Sequence, residues 1–72
     1  MIILTGPQTS TDELGDLIEA AGLIGAQLTC SSDVDWALVE RFYCLAGWDA
    51  CPLAVADVGI AAAFGFPVEL LD

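Results

Sequence analysis

Asp57 is the only charged residue between Asp49 and Glu69, set in a run of Ala, Val, Leu, Ile and Phe that ends in Gly65-Phe66-Pro67-Val68. At about 100° per residue, Leu53, Ile60 and Phe64 share one stripe of a helix, and Asp57 lies beside it. This spacing predicts a carboxylate aimed at a core or a cleft. Buried bare, it would cost far more than one helix returns, so it must be hydrated, hydrogen-bonded or protonated. An ionised Asp57 needs amide or hydroxyl donors, expected from the loop Gly6 to Thr9, with Tyr43 or Gln8 as neighbours. Covalent catalysis by a carboxylate also calls for a second acid to help the leaving group depart, and Asp49 is the near one in sequence. The structural alternative is a helix acid bonded to a backbone amide or water, since perturbed acids also occur in ordinary networks.

Other residues carry weaker chemical signals. Gly6-Pro7-Gln8 reads either as a ligand loop or as a simple turn after a strand. Cys51 at a helix start is either a thiol of lowered pKa or a small buried residue. Ser10 and Glu13 have the spacing of a helix cap. The chain has no His, which removes the usual imidazole base and metal ligand and with it serine-protease and zinc-hydrolase mechanisms. Cys30, Cys44 and Cys51 are odd in number and not closely paired. They fit neither a disulfide framework nor a CxxC metal site, so a reducing, cytoplasmic setting is expected, without metal or cofactor.

The elements that must position these groups alternate. Ile2 to Leu4 reads as a buried strand closed by Gly6-Pro7. Ser10 opens a helix whose Leu14, Leu17, Ile18 and Ala21 recur at three and four residues, with Asp12, Glu13, Asp16 and Glu19 on the wet side and Gly22 as its stop. Ala26 to Cys30 forms a second strand, closed by Ser31-Ser32-Asp33. From Asp33 to Ala46 the pattern permits one helix, but a short helix to about Glu40 and then a strand from Arg41 to Ala46 is preferred. Pro52 suits the first turn of the next helix, Gly65 its end, and Val68 to Leu71 a last strand. The expectation is a single α/β domain over residues 1–72, a small Rossmann-like three-layer fold with a four-stranded parallel sheet. The loops after the strand ends, including Gly6 to Thr9 and Gly47 to Cys51, then lie on one edge, where such folds bind ligands.

Composition limits the partners. The chain of 72 residues is 57% hydrophobic, more apolar than so small a body readily hides. Self-association is therefore expected, with Trp36, Trp48 and Phe66 as contact residues or, equally, core fillers. Eleven Asp and Glu stand against Arg41 alone, a net charge of -10. Nucleic acid and anionic membrane surfaces are repelled, leaving basic protein surfaces, cations and neutral small molecules; the acidity also keeps a greasy protein dispersed. The uncharged stretch from Ala50 to Val68 is broken by Pro52 and Pro67 and carries Asp57 near its middle, so it reads as a buried helix and strand rather than a membrane span.

Thr5-Gly6-Pro7 at the end of the first strand, Gly47-Trp48-Asp49 after another, and an acid ten positions before the proline of Gly65-Phe66-Pro67-Val68 resemble the nucleoside 2-deoxyribosyltransferase-like superfamily, especially its small phage-borne members of unknown function. The resemblance covers roughly the first eight residues and the last thirty. It implies a nucleophilic carboxylate at Asp57, a helping acid at Asp49, and ligand contacts from Gly6, Pro7, Gln8, Trp48 and Cys51, with Cys51 and Leu53 where the family has a sugar-holding serine and glycine. Departures from the family matter. Aspartate is shorter than glutamate, and about 1 Å of misplacement can cost about a hundredfold in rate; Leu53 and Pro52 spoil the anion-binding helix start. The implied function is a nucleoside- or nucleotide-type binding protein, with residual N-glycosidic chemistry open. The alternative is an acidic phage-type interaction protein or inhibitor that binds a basic host surface.

Overall fold

A computed structural model describes residues 1–28 and 35–71 of the chain. Four strands, β1 (Ile2–Thr5), β2 (Gln27–Leu28), β3 (Arg41–Leu45) and β4 (Glu69–Leu71), form one sheet in the order β2-β1-β3-β4, and every pairing is parallel. Helix α1 (Thr11–Ile24) links β1 to β2 and helix α2 (Pro52–Ala63) links β3 to β4. This is the Rossmann-like α/β arrangement expected from the alternation.

Period-two alternation along the strands divides the core into two halves. Ile3, Phe42 and Cys44 pack with Val58 and Ala61 of α2, while Leu4 packs with Leu17 and Ala21 of α1 and with Leu28. The register sets Ile3 beside Phe42, Leu4 beside Tyr43 and Thr5 beside Cys44. Thr5 therefore shares the α2 side with Ile3, two residues earlier on its strand.

Helix α1 starts where the cap predicted it. Ser10 Oγ accepts the Glu13 amide at 3.2 Å, and Glu13 Oε1 accepts from Thr9, at 3.1 Å from its amide and 2.6 Å from its hydroxyl. The stop is not Gly22. The helix runs on to Ile24, and Gly25 at φ 68° takes the left-handed position that lets the Ala26 amide reach back to Ala21 O at 2.9 Å, the geometry that glycine alone enters without penalty. Gly65, at φ 88°, ends α2 in the same way, with Phe66 N donating to Ala61 O at 3.0 Å.

Between β2 and β3 the expected short helix is a single 3-10 turn, Trp36–Leu38, and β3 follows as expected. The residues of that helix before Asp35, and Thr29 and Cys30 of the second strand, lie outside the described residues. Trp36 supplies the bulk that a full helix would otherwise provide: its ring lies 5.9 Å from Phe42, 6.1 Å from Phe66 and stacks at 5.8 Å on Phe64. Trp36, Trp48 and Phe66 are all partly buried against the α2 half of the core, which is the core-filling role.

The apolar stripe expected on α2 is corrected. Ala54, Val58 and Ala61 face the sheet, and Leu53, Ile60 and Phe64 are exposed. A helix apolar but for Asp57 has no wet side to orient it, so fit decides. Small side chains let the helix lie close over a sheet already filled by Ile3 and Phe42. Asp57 still falls between Ala54 and Ala61 on the inner flank. Val68 stands just outside β4, which begins at Glu69.

Candidate functional site

Chain direction makes one place special. From β1 the chain moves outward to β2, and from β3 it moves the other way to β4, so the carboxyl ends of β1 and β3 flank the topological switch point where open parallel sheets bind ligands. Thr5, Gly6, Pro7, Leu45 and Ala46 stand there, followed by the turn Trp48–Ala50 and the start of α2.

On the α2 side, the hydroxyl of fully buried Thr5 donates to Asp57 Oδ2 at 2.7 Å. This is a hydrogen bond to an ionisable carboxylate across 52 residues of chain, and it ties the end of β1 to the middle of α2. Donors to Asp57 were expected from Gly6 to Thr9, with Tyr43 or Gln8 as neighbours. Thr5, one residue earlier, is a donor. Tyr43 belongs to the α1 half of the core and its hydroxyl accepts from Arg41 at 3.4 Å, while Gln8 Nε2 donates to Gly6 O at 3.4 Å. Period-two alternation was the signal that would have found Thr5. Cys44, beside it in the register, is completely buried, and desolvation, helped by the charge of Asp57, pushes its thiol up to about 11.

Cys51 is buried at the N-cap of α2, with Pro52 at the first helical position. The amide of Ala54, and secondarily those of Gln8 and Leu53, hold its thiol below the ordinary value against the opposing effect of burial. Both Cys44 and Cys51 are free thiols; Cys30 lies outside the described residues. Asp49 is exposed in the turn Trp48–Ala50.

On the α1 side of the same edge is an open hollow of about 230 Å³ lined by Pro7, Glu13, Asp16, Leu45 and Ala46. Of the residues singled out from the sequence, Pro7 lines it. Asp57, Asp49, Trp48 and Cys51 do not. Glu13, read as a cap alone, also lines the hollow, and Asp16, read as part of the wet face, lies one turn further along it. Both bonds from Thr9 land on Glu13 Oε1 and lower the carboxyl pKa, the Thr9 hydroxyl having the largest effect. Gly6 is fixed by packing: a Cβ there would lie 2.9 Å from Leu45 Cβ and 3.4 Å from Leu17 Cδ1.

The electrostatics of this edge are one-sided. The single arginine, Arg41, opens β3 at the opposite edge, where the Tyr43 hydroxyl foremost, with Glu69 and Glu40, raises its pKa further. Among the described residues no group of three or more His, Cys, Asp or Glu is arranged to hold a metal ion, and no helix is long and apolar enough to cross a membrane. No protein-family model, curated protein or solved structure matches this chain.

Proposed function

We propose that this domain binds a small, uncharged or cationic, hydroxyl-rich ligand of nucleoside type at the carboxyl edge of β1 and β3. The observation that carries the reading is the hollow at the switch point, which pairs an apolar wall of Pro7, Leu45 and Ala46 with the carboxylates of Glu13 and Asp16. A flat ring finds apolar contact on that wall. Hydroxyl or amino groups find acceptors in the carboxylates of Asp16 and Glu13. A phosphate would meet two carboxylates and no cation in the lining, on a chain of net charge -10; nucleosides therefore fit and nucleotides do not. At about 230 Å³ the hollow falls below the roughly 300 Å³ at which enclosing ligand sites begin, so binding is weak and only part of the ligand is held.

In this reading Asp57 positions rather than reacts. Its carboxylate takes the Thr5 hydroxyl and fixes the strand end that leads into Gly6 and Pro7. The N-glycosidic chemistry suggested by the resemblance would require Asp57 to reach an anomeric carbon from the other side of the sheet. Melting temperature in a panel of purine and pyrimidine nucleosides, with free base assayed in parallel, tests the reading. A rise with nucleosides, smaller with the matching monophosphates and reduced by Asp16→Asn, supports it. Release of free base that Asp57→Asn abolishes replaces it by the enzyme reading, and no shift with any nucleoside at millimolar concentration overturns it.

A second reading has its own support. Asp12, Asp16 and Glu19 are all exposed on α1, and no basic residue answers them there, which suits docking on a basic protein surface. That association would weaken steeply with salt, whereas nucleoside binding would not.

A further inference from the structure

We propose that the outward face of α2 is where two copies of this chain meet. Pro52–Ala63 contains one polar side chain, Asp57, and that side chain is turned inward onto Thr5. Every other residue of the helix is Pro, Leu, Ala, Val, Gly or Ile. A helix apolar all round belongs inside a protein body. Here one side of it is bare. Leu53 is 59% exposed, Val55 44%, Ile60 45% and, just past the helix end, Phe64 60%. Leu70, 56% exposed, pairs in register with Cys44 and so stands on the same side of the sheet, and Val68, 49% exposed, precedes it by two residues.

Charge distribution selects the occupant. Apart from Asp57, the acids of the two helices sit on α1, where Asp12, Glu13, Asp16 and Glu19 lie on the other side of the sheet from α2. Two chains of net charge -10 repel over most of their surfaces, and α2, whose one acid is bonded to Thr5, is the helix on which they approach with the fewest opposed carboxylates. A basic partner would instead find its complement on α1. Area is consistent with a second copy. The exposed fractions of Leu53, Val55, Ile60, Phe64, Val68 and Leu70 amount to roughly 600 Å² per chain, so two such faces together reach the roughly 1,200 Å² at which specific interfaces begin. Ala56, Gly59 and Ala63, exposed between the larger side chains, give each helix a shallow track into which the other's Ile60 and Leu53 can sit. The dimer is at the weak end, and because like charges oppose it, it tightens as salt screens them.

Sedimentation velocity from micromolar to millimolar protein, at low and high NaCl, tests the proposal with three chains: the parent, Ala56→Glu and Leu23→Glu. Both substituted positions are exposed, so neither glutamate disturbs the core, and circular dichroism checks the fold of each. The expected result is a monomer–dimer equilibrium for the parent that tightens with salt, a dissociation constant raised at least tenfold by Ala56→Glu, and no change with Leu23→Glu on α1. A parent that stays monomeric at every concentration overturns the proposal. So does a dimer that survives Ala56→Glu, or one that Leu23→Glu abolishes.

Discussion

Replacing Thr5 by valine removes a single hydroxyl from a fully buried position and keeps the side-chain shape. The oxygen lost is the donor to Asp57 Oδ2 at 2.7 Å. A hydrogen bond to a charged group contributes about 1.5–3 kcal/mol. Asp57 is half-buried and can recruit water once Thr5 is gone, which puts the loss at the lower end, about 1.5 kcal/mol. For a domain of 72 residues this corresponds to a fall of about 6–12 °C in melting temperature, at about 4–8 °C per kcal/mol. Asp57→Ala alone mixes two effects, since it leaves the Thr5 hydroxyl without this acceptor but improves helix propensity. A double-mutant cycle with Thr5→Val, Asp57→Ala and the double variant, measured by urea unfolding, separates them. The expected coupling is about 1 kcal/mol or more, and Thr5→Ser, which loses a buried methyl at about 0.5–1.5 kcal/mol, should preserve that coupling. Coupling within about 0.3 kcal/mol of zero would refute the tie between β1 and α2, and with it the positioning role assigned to Asp57.

Gly6→Ala should destabilise by about 1–3 kcal/mol through overpacking, because the new methyl meets Leu45 Cβ at 2.9 Å; thermal unfolding measures it, and Leu45→Ala, which keeps that Cβ, should not recover the loss. The Cys44 thiol is held protonated to about 11 against an ordinary 9.0, so the unfolded chain releases this proton first. The contribution is intact below pH 9 and is lost as pH rises toward 11, and Cys44→Ala should flatten urea-unfolding stability across that window. A chain of net charge -10 repels itself, so calorimetry should show the melting temperature rising as NaCl goes from about 10 to 200 mM.

The fold was legible where local signals agreed. Ser10 and Glu13 marked the start of α1, Pro52 and Gly65 the limits of α2, and the order of strand and helix signals gave the parallel sheet. Three features were not, each for a physical reason. Gly22 competed with Gly25 as a helix stop, and only the reach of Ala26 back to Ala21 decides between them. The orientation of α2 could not be read because its residues are apolar on every side, so hydrophobic periodicity has nothing to contrast; shape decided instead, and the alanines went inward. The stretch from Asp33 to Ala46 offered both helix and strand formers; the preferred strand from Arg41 is present as β3, while among the described residues the helix before it is only the turn Trp36–Leu38, where Trp36 meets Phe42 and, distant in sequence, Phe64 and Phe66. Pro7, expected as a ligand contact, lines the hollow, and the inward turn of Asp57 was expected. Thr5, Glu13 and Asp16 were missed as site residues because their neighbours across the sheet edge come from other elements.

The claim that most needs a direct measurement is ligand binding at the edge of β1 and β3. Amide chemical shifts of isotope-labelled protein, followed as an uncharged nucleoside such as uridine is added to several millimolar, report binding and its location together. The account predicts saturable shifts at Gln8, Glu13, Asp16, Leu45 and Ala46, with α2 beyond Asp57 unmoved. Shifts confined to α2, or none at all, would contradict it.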